Sequence, residues 1–185
     1  MHPIIFSREH HENNINDSDF FIEDLFKELE DDPHWISDLE KLQKNRIALH
    51  LAILHEPYLE LILEGKKTIE TRFSIHRQAP FEQIKKNDII LLKKTSGPVV
   101  GLCRVSDAWF YELNQNSWDI IKNEFFKEIL VKDPRFWEDK KNSSYASLIR
   151  VRDVHQLKSP LDFPKRDRRG WVVLIPRNYN TKLNV

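Results

Sequence analysis

The rhythm of apolar and polar positions changes several times along the chain, and each change marks an element. In DSDFFIEDLFKELEDD, residues 17–32, Phe20, Phe21, Leu25 and Leu29 fall near helical spacing, with Asp17 or Ser18 to cap the start and Pro33 beyond the end. PHWISDLEKLQKN reads as a second short helix. RIALHLAIL then alternates Ile47, Leu49, Leu51 and Ile53 against Ala48, His50, Ala52 and Leu54, the pattern of a buried strand. PYLELILEG is a short helix opened by Pro57 and ended by Gly65. Beyond it KTIETRFSI, NDIILLKK and GPVVGLCRVSDAWFYEL are strands, with Pro98 at a tolerated first position and Gly101 marking a bulge. SWDIIKNEFFKEILVKDPRFWEDKK returns to helical spacing, with a stripe of Trp118, Ile121, Phe125 and Ile129. ASLIRVRDVHQL and GWVVLI are strand again.

Five or six short strands, an early helix and a helical excursion between strands predict an α+β chain built on a small, closed or nearly closed β-barrel. Three parts follow: an acidic helical extension over residues 1–46, the barrel over 47–176, and a tail over 177–185. The length of 185 residues and 40 % hydrophobic content give enough apolar surface for a real core. The single Cys103 supports neither an internal disulfide nor a cysteine zinc site, and no apolar run reaches the length of a membrane span. A soluble cytoplasmic protein without membrane association is the expectation.

The net charge of zero is divided unevenly. Residues 1–46 hold 5 Lys+Arg and 12 Asp+Glu, a net of −7, which leaves +7 on the remainder. A basic body suits a polyanion, and binding to RNA that weakens steeply with salt is expected of it. The acidic helix cannot bury its apolar stripe alone. It either docks over the basic cleft, as an internal competitor of nucleic acid, or extends the core on a remote face.

Candidate chemistry concentrates where the helix ends at Gly65. GKKTIETR places Lys66, Lys67, Thr68, Glu70 and Arg72 within eight residues. Alternation puts Thr68, Glu70 and Arg72 on one face of a strand and Lys67 on the other, although the turn at Gly65 leaves the side of Lys67 open. A buried Lys67 beside Glu70 can act as a base, with Glu70 shuttling the proton, while Arg72 holds a phosphate or an exocyclic oxygen. An ion-pair ladder on a solvated strand face is the plain alternative.

Trp109 and Tyr111 either stack on a base or pack in the core. The loop PKRDRRG presents Lys165, Arg166, Arg168 and Arg169 as a backbone-tracking patch or as solvated charge. His10, His11, His50 and His55 lack metal-ligand spacing, so no metal and no cofactor is expected, and His50 reads as a satisfied core histidine. Glu124 and Glu128 share one face of the insert helix, from which either can reach the pocket or solvent.

The motif G-x-K-x-x-E-x-R after a strand and a short helix, followed by a barrel, a helical insert and RRGWVVL, resembles the ASCH domain of the PUA-like superfamily. The resemblance spans roughly residues 47–176. It implies a barrel with a basic cleft, in a family associated with RNA binding, RNA cleavage and, in small bacterial members, deacetylation of N4-acetylcytidine. Those hydrolases use a Lys and a Thr of the strand after the helix, with a Glu from the insert. Lys67 takes the Lys position, and Glu70 stands where they carry Thr, as in the more widespread family pattern. Two functions follow: binding of RNA or a modified nucleoside, with Lys66, Thr68, Arg72, Trp109, Tyr111, Arg166, Arg168 and Arg169 as contacts, or hydrolysis of an acylated nucleoside or RNA by Lys67 and Glu70.

Overall fold

The computed structural model describes residues 17–163 and 168–178. Two helices, α1 (Asp17–Leu29) and α2 (Pro33–Gln43), precede strand β1 (Leu49–Leu54) and helix α3 (Tyr58–Leu63). Strands β2 (Ile69–Ser74), β3 (Ile89–Lys94) and β4 (Val99–Glu112) follow, then the insert helices α4 (Gln115–Glu124), α5 (Phe126–Ile129) and α6 (Phe136–Lys140), and strands β5 (Tyr145–Leu161) and β6 (Trp171–Ile175). The six strands form one mixed sheet in the order β2-β5-β4-β3-β1-β6, parallel between β1 and β3 and antiparallel elsewhere. The sheet curls into a half-barrel, so β2 and β6 are its two edges.

Period-two alternation sorts the strand residues onto two faces. Ala52, Leu54, Ile90, Leu92, Cys103, Val105, Ile149, Val151 and Trp171 converge on the inner face, where Leu59 and Ile62 of α3 join them. Burial among these apolar groups pushes the Cys103 thiol pKa up and leaves it unreactive. Leu49, Leu51, Ile89, Leu91, Leu102 and Leu157 point outward and are covered by Phe21, Leu25, Leu29, Trp35, Leu39 and Leu42 of α1 and α2. Each such aliphatic or aromatic side chain gains about 1.5–3 kcal/mol from burial. The insert covers the other end of the outer face, where Ile121, Phe125 and Ile129 meet Ile69, Ala146 and Leu148.

The insert is three short helices where its sequence reads as one. Phe125 is the C-cap of α4 with ψ −3°, and Leu130 stops α5 in the left-handed region at φ 56° and ψ 51°. Gly65 ends α3 at φ +71°, and the amides of Lys66 and Lys67 fold back to the Leu61 carbonyl. The bulge near Gly101 is a register shift between β4 and β5; a Cβ there would lie 2.8 Å from the His155 carbonyl oxygen. His50 is wholly buried: its Nδ1 accepts from Trp171 Nε1 at 3.1 Å, and its Nε2 lies 3.4 Å from Asp88 Oδ2. Asp88 also accepts from the amides of Ala48 and Lys85, and these bonds outweigh burial in holding its pKa below the ordinary carboxylate value.

A buried arginine bolts α2 to the sheet. Arg104 of β4 donates to Asp38, to the His34 carbonyl at 2.5 Å and to Asp153 at 3.0 Å, and its guanidinium lies 3.9 Å from the Trp35 ring centroid. Burial alone would raise the Asp38 pKa, but hydrogen bonds and charge from Lys41 and Arg104 hold it below the ordinary value. A carboxylate whose folded pKa is depressed stabilises the fold above its unfolded pKa, about 3.9, and the contribution fades as pH falls through the folded pKa. Asp38→Asn is expected to cost about 3 kcal/mol at neutral pH, because it leaves the buried Arg104 without its main counter-charge. Urea unfolding measures this, and the difference from the parent should shrink as pH falls below about 4.

Candidate functional site

Sheet order places β2 and β6 at opposite edges, and the curl brings them face to face across a seam that no strand pairing closes. Arg72 spans the seam. Its NH2 donates to the Ile53 carbonyl of β1 at 3.0 Å and its NH1 to the Gly170 carbonyl before β6 at 3.2 Å. Gly170 also accepts from the Ile53 amide at 3.0 Å, and the Arg72 guanidinium lies 5.2 Å from the Trp171 ring centroid. On the β2 side Arg72 Nε sits 3.1 Å from Glu70 Oε1, an ion-pair contact whose angle falls outside hydrogen-bond geometry.

Lys67 completes the group from a position outside the strand. β2 begins at Ile69, so the turn at Gly65 and not strand alternation sets the direction of Lys67. Lys67 is 2 % exposed, and its ammonium donates to the carbonyls of Ile69 at 2.5 Å and Ile129 at 2.7 Å and lies 3.8 Å from Glu70 Oε2. Burial drives the Lys67 pKa down; Glu70 opposes this, Arg72 reinforces it, and the net direction is downward. The two carbonyls fix two N–H bonds, so in the neutral amine the lone pair takes a direction that neither carbonyl occupies.

Lys67, Glu70 and Arg72 line one cleft of about 240 Å³, together with His55, Tyr58, Asp133, Phe136, Asp139 and Lys140. This is below the roughly 300–1,000 Å³ of sites for drug-sized ligands and admits only a smaller group. Tyr58 and Phe136 supply aromatic walls. The expectation of a basic cleft is corrected here: the lining carries Lys67, Arg72 and Lys140 against Glu70, Asp133 and Asp139. Much of the body's basic charge is engaged elsewhere, Arg77 with Glu112 and Glu82, Arg150 with Glu128, Arg104 with Asp38.

The other candidates lie apart from the cleft. Lys66 is exposed and pairs with Glu64 at 2.9 Å. Thr68 does not line the cleft but an adjoining hollow with Gly65 and Val151–Val154, which Lys67 also borders. The Trp109 face is occupied by Arg150, 4.8 Å from its centroid, and Phe125 packs on it at 5.0 Å. Tyr111 sits near Glu124, and burial followed by that carboxylate pushes its hydroxyl pKa up. Arg168 is exposed, Arg169 borders a hollow beside the seam with Gln78, Gln83 and Gly170, and Arg166 falls outside the described residues. Glu128 turns to Arg150, so the insert carboxylates that reach the cleft are Asp133 and Asp139. Neither they nor Phe136 carry a sequence signal, since they follow a break in helical spacing. Among the described residues, none of α1 or α2 lines the cleft.

A curled six-stranded sheet with a helix after its first strand and a helical insert defines the PUA-like class of fold. The ASCH domain model matches residues 53–162, more than half of the chain, and the chain belongs to the ASCH domain family. The crystal structure of an ASCH protein from Zymomonas mobilis is similar with a TM-score of 0.54 and 15 % identity, over 68 % of this chain and 87 % of that one. Two mutant forms of that protein give TM-scores of 0.53 and 0.50 at 15 % and 16 % identity, over 68 % and 63 % of this chain and 89 % and 75 % of theirs. At these identities the likeness is one of fold. Comparison with the curated proteins gave no significant match.

The seam is directly testable. Arg72→Lys keeps the charge but loses the fork that serves two carbonyls at once. A loss of about 2 kcal/mol in urea unfolding is expected, from two hydrogen bonds of a charged donor weakened together. Unchanged stability would show that the sheet edges hold without Arg72.

Proposed function

We propose that the chain captures one nucleoside unit, free or displaced from RNA, in the Arg72 cleft. The observation that carries this is the combination of a base-sized, charge-balanced cleft with aromatic walls and the Lys67–Glu70 pair in its lining. Tyr58 and Phe136 offer stacking surfaces, for which base–aromatic contacts contribute about 1–3 kcal/mol. Glu70 accepts from an exocyclic amino group, and Lys67 donates to a base carbonyl. A balanced lining gives a phosphate no net attraction, so the backbone of an RNA stays outside. Membership of a family associated with RNA agrees with this reading.

Hydrolysis of an acylated exocyclic amine is a second reading, favoured by one observation: Lys67 is buried, its pKa is lowered, and two of its N–H bonds are already held. Neutral Lys67 takes a proton from water and the hydroxide adds to the acyl carbon. The C–N bond then breaks as Glu70 passes that proton to the departing amine, leaving a carboxylic acid and the free amine.

Calorimetry with cytidine and N4-acetylcytidine tests both. One-to-one binding is expected, weakened at least about tenfold by Lys67→Ala, the loss of one charged hydrogen bond. Raising salt from about 50 to 200 mM should change nucleoside affinity by less than about twofold, since no phosphate contact releases counterions. Absence of binding at millimolar nucleoside, or equal affinity for Lys67→Ala, overturns the proposal. Acetate release from N4-acetylcytidine that is lost in Lys67→Ala would select hydrolysis over binding alone.

A further inference from the structure

The insert contributes no Glu to the cleft, yet it touches Lys67 through a backbone atom. The Ile129 carbonyl accepts from Lys67 Nζ at 2.7 Å, and it is free to do so because Leu130 leaves the helix in the left-handed region. Two ties flank this carbonyl. Downstream, the Lys132 amide donates to the Tyr58 hydroxyl of α3 at 3.3 Å. Upstream, Glu128 accepts both its bonds from Arg150 NH2 of β5, at 2.9 and 3.0 Å, with the guanidinium stacked over Trp109.

We propose that the Glu128–Arg150 pair is a positioning latch: by pinning the last turn of α5 to β5 it holds the Ile129 carbonyl on Lys67 and aims the Lys67 amine into the cleft. The inference rests on the reading of the cleft as the ligand site, but its geometry is independent of any ligand. Glu128 and Ile129 are adjacent in a four-residue helix, too short to hold its own shape. Releasing Glu128 therefore loosens the carbonyl beside it. The Ile129 side chain, buried with Ile69, Phe125 and Leu148, anchors the same turn from the apolar side but does not fix the rotation of its peptide plane. Around Lys67 the charged or titratable neighbours are Glu70 and Arg72 of β2, Tyr58 of α3, His55, and Asp133, Asp139 and Lys140 of the insert in the cleft, with Glu64 after α3 and Arg152 and Asp153 of β5 around the adjoining hollow. Glu128 is not among them, so its removal acts on Lys67 through position and not through direct charge.

The test follows Lys67 itself. The full chain is pulsed with acetic anhydride over a pH series, and acetylation of Lys67 is read by mass spectrometry against exposed Lys66 in the same molecule. In the parent protein Lys67 reacts slowly. In Glu128→Ala and in the isosteric Glu128→Gln, its rate relative to Lys66 is expected to rise about fivefold and the pH midpoint to move, the scale of coupling between residues in one network. Glu124→Ala removes an exposed charge of the same insert and should leave the ratio unchanged. Unchanged Lys67 reactivity in either folded Glu128 variant overturns the latch. A general loss of packing is distinguished by buried Lys93, whose reactivity must stay at the parent level for the result to count in support. If the parent binds no nucleoside while Lys67 responds to Glu128, the latch stands and the ligand reading falls.

Discussion

A sheet that curls without closing leaves an open seam between its edges, and here one guanidinium spans it. Arg72 sits on the edge strand β2 and donates to carbonyls at Ile53 and Gly170 on the far side, where Gly170 also receives the Ile53 amide. Strand pairing across the seam would have filled this space with backbone. A side-chain bridge closes the barrel and keeps a cleft open beside it, lined by Glu70 and Lys67 of the same motif. The fold and the site thus depend on the same contact, since loss of Arg72 both releases two carbonyls and removes the partner that orients Glu70.

Around that contact the molecule divides its labour. The N-terminal helices seal the outer face over β1 and β3, fastened by buried Arg104. The three-helix insert seals the outer face over β2 and β5 and extends Asp133, Phe136 and Asp139 into the cleft. The described part of α1 packs on the former face. Its Glu28 accepts from the Lys158 amide at 2.8 Å, on β5.

Much of this is legible in the residues. Alternation in Leu49–Leu54 and the short apolar run after the Asn87-Asp88 turn in Ile89–Lys94 mark two strands, and Gly65 after an apolar turn marks the helix end, because backbone geometry leaves those patterns few alternatives. The motif from Gly65 to Arg72 supplies Lys67, Glu70 and Arg72 to the lining of the candidate cleft. What escapes is set by tertiary contacts. Lys67 shares a side with Glu70 against strand parity because it precedes the strand. Glu128 finds Arg150 across 22 positions of sequence. Leu130 takes a left-handed conformation that nothing in its side chain announces, and it divides an apparently continuous helix. Charge counting is misleading for a related reason: it sums arginines that are already paired within the fold.

The central claim, that the seam held by Arg72 is where ligand enters, is tested most directly by amide NMR during titration with cytidine. Shift changes confined to Ile53–His55, Lys67–Arg72 and Asp133–Lys140 are expected, saturating with one ligand per chain. Changes spread over the outer face, or centred on Arg168 and Arg169 with the Lys67–Arg72 amides unmoved, would contradict it.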